Sequence, residues 1–287
     1  MKKGLVMEGG GMRGLFTAGV IDVLMENGIS FDGAVGVSAG ACFGCNYKSR
    51  QTGRVLRYNT KYCKDKRYCS FKNLIKTGDL FSADFCYRQL PYELDVFDYK
   101  AFEENPMEFF VAATDVETGK PVYHKCKDGK DEDLLWFRAS ASMPLAARIV
   151  ETDGKKLLDG GIADSIPLEF FENMGYEKNV VILTQPKGYV KSKNKLIFLI
   201  KLVFSKYPKL IETLKNRHKL YNIQTKYVLD AEREGRAFVI SPSEKLPAGR
   251  VEHDPETLKK AYNIGRQEAQ LKLEDIKAFL GYTSENA

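Results

Sequence analysis

Short apolar runs and stretches of helical spacing alternate along the first fifty residues. Leu5-Val6-Met7 is an apolar run closed by Gly9-Gly10-Gly11, and it predicts a buried strand. Leu15, Ala18, Gly19, Val23 and Leu24 then recur at helical spacing, which predicts a helix over about 14–27, stopped by Gly28. Ala34 to Val37 reads as a second strand, and Ser38 opens a second helix through Ala41, Phe43 and Cys45. Strand, helix, strand, helix in this order predicts a parallel α/β sheet.

The pattern continues with a strand over Glu108–Thr114, a turn at Gly119-Lys120-Pro121 and a return strand over Val122–His124. A helix over Glu132–Ser142 ends before Pro144, and a strand over Lys156–Leu158 runs into Asp159-Gly160-Gly161. A helix over Pro167–Asn173, a buried strand over Asn179–Thr184, two or three helices within 194–234 and a last strand over Ala237–Ser241 follow. The final helix has Asp254 as N-cap and Pro255 at its first position. No linker interrupts the 287 residues, so one domain over 1–287 is expected, with a core at about 4–185 completed by a helical portion at about 190–287.

Composition narrows the class. A hydrophobic fraction of 44% with 29% charged residues excludes a disordered or fibrous chain. No apolar run approaches the roughly eighteen residues of a membrane-spanning helix. Lys2 and Lys3 are followed by an apolar stretch that Glu8 ends too early for a signal peptide, so a cytoplasmic protein with reduced thiols is expected. Cys42 and Cys45 form a C-x-x-C pair without a second pair at zinc spacing, and no metal is expected.

The net charge of +6 is unevenly spread. Ten Lys or Arg lie between Lys48 and Lys76 against Asp65 alone, and ten more between Lys187 and Lys219 against Glu212 alone. The first segment interleaves Tyr58, Tyr62, Tyr68 and Phe71 with its charges, but no nucleic-acid-binding motif accompanies them, so no nucleic acid is expected. In Leu196–Leu210, apolar residues keep helical spacing between lysines, which fits either a core helix or an interfacial helix on an anionic membrane surface.

Three motifs carry chemistry. Gly36-Val37-Ser38-Ala39-Gly40 is a G-x-S-x-G pentapeptide between a strand and a helix, the setting of a nucleophile elbow. Small residues at 36 and 40 avoid clashes with strand and helix, and the Ser38 hydroxyl emerges at a helix N-terminus that favours negative charge. Gly9-Gly10-Gly11-Met12-Arg13-Gly14 leaves backbone N–H groups bare at a helix start, a nest for an anion. The same glycines satisfy the dinucleotide fingerprint G-x-G-x-x-G, with Asp32 near the ribose-binding position. That reading expects the second strand to end at the acid, whereas here the strand follows Asp32 and ends at the elbow. The third motif is Asp159-Gly160-Gly161 at a strand end.

A nucleophilic serine needs a base. His218 and His253 follow Asp159 in the order of an α/β-hydrolase triad, but both lie in segments that read as solvated surface, and His124 sits in the expected hairpin. Asp159 is the stronger candidate: a carboxylate within reach of the hydroxyl acts as base directly, aided by partial burial.

Taken together, the glycine block, the serine elbow and the Asp-Gly-Gly triplet resemble the patatin-like phospholipase family over about Leu5 to Thr184, and Arg138 to Pro144 resembles the family's helix before the aspartate. The resemblance implies a three-layer α/β/α fold with a mostly parallel central sheet. It implies a Ser38–Asp159 dyad, with N–H groups around Gly10, Gly11 and Met12 as oxyanion hole and Arg13 contacting the loop or a headgroup. It implies hydrolysis of a lipid ester through an acyl-enzyme, without a cofactor. Esterase or thioesterase activity on other acyl substrates, or a non-catalytic lipid-binding role, are the alternatives. The final triplet is Asp-Gly-Gly where many members have Asp-Gly-Ala.

Overall fold

The computed structural model describes residues 1–282. Strand β1 (Lys2–Met7) leads through a 3-10 turn at Gly11–Gly14 into α1 (Leu15–Glu26). Then come β2 (Gly33–Val37), α2 (Ala39–Lys48), α3 (Arg54–Tyr62) and α4 (Phe71–Thr77). A π-helical segment at Phe85–Leu94 contains Pro91, which lacks the N–H that regular helix pairing needs. The middle of the chain forms α5 (Tyr99–Glu104), β3 (Glu108–Asp115), β4 (Pro121–Lys125), α6 (Asp131–Ser140), β5 (Val150–Thr152) and β6 (Lys155–Asp159). The last part comprises α7 (Leu168–Asn173), β7 (Tyr176–Ile182), α8 (Ile197–Val203), α9 (Pro208–Arg233), β8 (Ala237–Ile240), α10 (Pro255–Leu271) and α11 (Leu273–Phe279).

One sheet holds all eight strands. The pairs β1–β2, β1–β7, β2–β3 and β7–β8 are parallel; β3–β4, β3–β6 and β5–β6 are antiparallel. The layers follow from the two-residue period of strands. Leu5 and Met7 of β1, Ala34 of β2 and Val180 and Ile182 of β7 join one apolar cluster with Phe16, Val20 and Leu24 of α1. Val6, Val35, Val181 and Val239 point the other way, to Phe171 of α7 and Tyr221 and Val228 of α9. Both sheet faces are covered, which is why these strands read as continuous apolar runs. This is the expected mostly parallel α/β/α architecture.

The C-terminal helices close on this core. A Cβ on Gly19 of α1 would lie 2.1 Å from the Tyr262 carbonyl, and one on Gly265 of α10 would lie 2.0 Å from that of Phe16. Glycine at both places lets the two backbones touch. Asp254 caps α10 by accepting from the N–H groups of Glu256 and Thr257.

Some expectations change. Strand β7 ends at Ile182, not Thr184, because the Thr184 N–H leaves the sheet to donate to the Glu8 carboxylate at 2.6 Å. Tyr58, Tyr62 and Tyr68 are buried, although charges surround them in sequence; Phe71 is exposed. Positions 58 and 62 share the inner face of α3, so Arg57 and Lys61 cover the outside, while Arg54 is buried and donates to the Asp95 carbonyl. The Leu196–Leu210 stretch is not one helix: it breaks between α8 and α9 at Phe204–Tyr207. Ile200, Phe204 and Leu210 pack inward, whereas Leu196, Phe198, Leu199, Leu202 and Val203 are exposed. No helix of the described residues is long and apolar enough to cross a membrane.

Candidate active site

The register of β3 assembles the site. Val37, the last residue of β2, lies opposite Ala112, and Asp159, the last residue of β6, lies opposite Ala113. Strand β4 occupies the other edge of β3 over Phe110–Thr114. Strands β2 and β6 therefore run along the same edge of β3 from opposite directions, and their C-terminal ends meet. Ser38 and Asp159 stand at that meeting point, and both line one small polar cavity.

Ser38 adopts φ 55° and ψ −120°, a strained conformation for a residue with a side chain. The flanking glycines permit it. A Cβ at Gly36 would lie 2.5 Å from the Ala41 backbone, and one at Gly40 would lie 2.3 Å from the Met7 carbonyl. The turn thus presses against both its own helix and β1, and it presents Ser38 at the N-terminus of α2.

Asp159 is buried and held by backbone. Its N–H donates to the Ser142 carbonyl at 2.8 Å, and its carboxylate accepts from the Gly161 N–H at 2.8 Å. Burial raises its pKa above the ordinary 3.8; the charge of Arg217, then the Ser38 hydroxyl, pull it partly back. The outcome is a carboxyl with more affinity for a proton than one in water.

The glycine loop lies beside them. Glu8, buried at the end of β1, accepts from the Thr184 N–H and, at 2.8 Å, from the Tyr221 hydroxyl, which anchors the loop's start to β7 and α9. The N–H groups of Gly10 and Gly11 have no acceptor among the described residues. That of Met12 differs from expectation: it donates to the Arg250 carbonyl at 3.1 Å, and Gly11, with φ +58°, packs against the same carbonyl. The free donors are therefore those of Gly10 and Gly11, while Met12 is committed to the loop before α10. Gly9 and Gly14 serve close packing: a Cβ on either would stand 2.9 Å from Ser38 or from Ala39 and Phe43. Gly160 lies against the Ala112 carbonyl in the same way. Arg13 lines the polar cavity, and its Nε is buried without a partner.

No histidine lines either cavity at Ser38. His124 bonds Asp133 at 2.6 Å and stacks on Trp136. The His253 ring meets the Cys63 carbonyl at 2.6 Å. His218 is half-buried on α9 with an unpartnered Nδ1, not solvated as its basic surroundings suggest. Asp32 accepts from the Lys3 N–H at 2.6 Å, at the sheet end opposite the glycine loop, so it is not placed as a ribose ligand. His124, Cys126 and Asp133 form a potential ligand group, but the Asp133 carboxylate also accepts from the N–H groups of 127, 128 and 129. That saturates it as a turn-former.

Several site residues escaped the sequence reading. The Ser140 hydroxyl accepts from the Ser38 N–H at 2.8 Å and donates to the Ala112 carbonyl at 2.5 Å. Ser140 and Ser142 lie in the Arg138–Pro144 segment, which was the available signal. Lys191, Arg217 and Arg250 line the polar cavity and looked like any surface cations.

A second cavity of about 180 Å3 opens from Ser38 on the other side. It is mainly apolar, with Phe43, Phe81, Leu90, Phe137 and Ala146 among its walls. Cys42 also lines it, and burial pushes that thiol up to about 12, so it is no rival nucleophile.

Comparison with known proteins gives the family. Residues 5–171 match the model of the patatin-like phospholipase family, and residues 207–281 match a domain of unknown function, DUF6363. The uncharacterized protein YjjU of Escherichia coli K12 is 33% identical in an alignment that covers 63% of this chain and 52% of that protein. A patatin-like phospholipase domain-containing protein of Caenorhabditis elegans, ZK370.4, is 29% identical over 60% of this chain and 13% of its own length. The lysophospholipase nte1 of Aspergillus fumigatus is 30% identical over 60% of this chain and 11% of its own. The chain thus spans about half or much less of the relatives it matches. Among solved structures, VipD from Legionella pneumophila superposes with a TM-score of 0.48 at 12% identity, covering 96% of this chain and 67% of that one. With more than half its length matched by the family model, and with the serine elbow, glycine loop and Asp-Gly-Gly turn converging on one cavity, the chain belongs to the patatin-like phospholipase family.

Proposed function

We propose that the protein is a serine acyl hydrolase acting on lipid esters of the phospholipid or lysophospholipid class through a Ser38–Asp159 dyad. The observation that carries this reading is the meeting of β2 and β6 on one edge of β3, which puts an elbow serine and a buried carboxyl in one cavity.

In this mechanism the Ser38 oxygen attacks the ester carbonyl carbon while its proton passes to Asp159, whose raised pKa suits it to take one. Negative charge develops on the carbonyl oxygen, and the N–H groups of Gly10 and Gly11 stabilise it. The C–O bond then breaks, and the alcohol departs with the proton from Asp159. Water attacks the acyl-enzyme, again giving its proton to Asp159, and the fatty acid leaves as Ser38 regains its hydrogen. The apolar cavity receives the acyl chain.

We also propose peripheral contact with an anionic membrane surface through α8, where Phe198, Leu199, Leu202 and Val203 are exposed beside Lys195 and Lys201. The whole chain functions as one unit, in the cytoplasm, without a metal or cofactor.

The test is hydrolysis of a p-nitrophenyl acyl ester series and of phospholipid vesicles by wild type, Ser38→Ala, Asp159→Asn and a triple His→Ala variant. Loss in the first two with retention in the third supports the dyad. Equal rates for wild type and Ser38→Ala on every ester would leave a lipid-binding role as the better account.

A further inference from the structure

The polar cavity at Ser38 holds an excess of cations. Arg13 enters from the 3-10 turn, Lys191 from the loop after β7, Arg217 from α9 and Arg250 from the loop before α10. The acids in the same cavity are Asp159 and Glu8. Glu8 is spent on the Thr184 N–H and the Tyr221 hydroxyl. None of the four cations lies within 4.0 Å of a carboxylate oxygen among the described residues. Arg217 donates to the Gly161 carbonyl, and Arg13 Nε has no partner.

Their positions are built rather than accidental. The Asn222 side chain of α9 holds the Lys191 backbone twice: the Lys191 N–H donates to Asn222 Oδ1 at 2.8 Å, and Asn222 Nδ2 donates to the Lys191 carbonyl at 3.2 Å. The Lys191 ammonium lies 3.9 Å from the centroid of Tyr221. Burial, then Arg217, brings Lys191 down to about 7, and Arg250 and Arg13 add to the same effect. Arg13, Lys191 and Arg217 are half-buried and Arg250 is exposed at the mouth; clustered, partly desolvated like charges cost free energy unless an anion joins them. Lys191, Arg217 and Arg250 lie outside the 5–171 segment matched to the family model.

Gly11, Ser38, Met143 and Arg250 line both the polar and the apolar cavity. An ester carbonyl at Ser38 therefore has its acyl chain on the apolar side and its alcohol portion among the cations. We propose that Arg13, Lys191, Arg217 and Arg250 form a subsite for a phosphate on the alcohol portion of the substrate, selecting a phosphomonoester headgroup over a neutral or zwitterionic one. This rests on the hydrolase reading above. Guanidinium groups and an ammonium are the donors that phosphate oxygens take best. The three guanidinium charges, joined by Lys191 when it is protonated, repel the ammonium of a zwitterionic headgroup.

The test compares kcat/KM for 1-oleoyl-glycerol 3-phosphate, 1-oleoyl-glycerol and the corresponding glycerophosphocholine ester. Wild type is expected to favour the phosphomonoester at least tenfold over each of the others. Lys191→Gln and Arg250→Gln are each expected to cut that ratio about tenfold. A wild-type ratio near one, or a ratio unmoved in both variants, overturns the proposal. Inorganic phosphate separates the two sources of the anion: if it inhibits wild type competitively while the lipid phosphate gives no preference, the cavity takes free phosphate and the headgroup assignment falls. Calorimetry of 1-oleoyl-glycerol 3-phosphate against Ser38→Ala reads the subsite without turnover. Binding there that weakens on adding Lys191→Gln supports the subsite even if no ester is hydrolysed, an outcome that would sink the hydrolase reading alone.

Discussion

Ser140 ties the backbone of Ser38 to the sheet. Its hydroxyl accepts from the Ser38 N–H at 2.8 Å while donating to the Ala112 carbonyl at 2.5 Å, and it is fully buried. The strained elbow is thus fixed against the same β3 edge that receives Asp159. Ser140→Ala would leave a buried N–H and a buried carbonyl unpaired. A loss of about 1–3 kcal/mol in urea unfolding is expected. A fall in kcat on a water-soluble ester with little change in KM would mark a positioning role. An unchanged kcat in the folded variant would count against it.

Ser38→Ala and Asp159→Asn are each expected to lower kcat/KM by roughly a thousandfold or more, as removal of a member of a nucleophile–base unit does. The His124, His218 and His253 triple alanine variant is expected to stay within the range of its stability change. Steady-state kinetics on a p-nitrophenyl ester, with thermal melts as the fold control, decides. A histidine-dependent rate would replace the dyad with a triad.

Asp159 also gives a pH prediction with a definite sign. Its folded pKa is raised above the ordinary 3.8, so the native state holds a proton more tightly than the unfolded chain. The stability contributed by that proton is full below 3.8 and is lost as pH rises through the folded value. Asp159→Asn, which stays neutral, is expected to melt higher than wild type at pH 8, with the difference shrinking towards pH 4. Activity runs the other way: kcat/KM falls in acid, with a midpoint above the ordinary carboxyl value. A variant that melts lower than wild type at pH 8 would contradict this.

Gly40→Ala places a methyl group 2.3 Å from the Met7 carbonyl, and backbone on both sides leaves it nowhere to go. Loss of several kcal/mol, or failure to fold, is expected. Gly175, with nothing near its Cβ position, is the control, although its φ of +84° makes alanine mildly strained there. Urea unfolding of the pair checks the contrast.

The exposed face of α8 predicts vesicle behaviour. Phe198→Glu with Leu202→Glu is expected to weaken sedimentation with anionic vesicles about tenfold or more and leave the melting temperature nearly unchanged, since neither side chain packs inward. Equal sedimentation of variant and wild type would place the membrane contact elsewhere or exclude it.

The amino-acid sequence by itself determined the features whose requirements are local. A glycine run after an apolar strand, and a serine between glycines at a strand-to-helix turn, are legible because only small residues tolerate those backbone contacts. The parallel α/β class was foreshadowed by short apolar runs alternating with stretches of helical spacing, whereas the strand order was not. Tertiary structure decided what depends on register and packing. Asp159 reaches Ser38 because β2 and β6 share an edge of β3, which no spacing along the chain encodes. The Met12 N–H is committed to a carbonyl that lies far along the chain, at Arg250. Tyr58 and Tyr62 turn inward although basic residues surround them, while Lys191 and Arg217 turn towards the serine although they sit in a lysine-rich stretch. A charged residue reads the same in sequence whether it meets water or lines a cavity. Only the fold, by choosing which face of each helix it buries, separates the two.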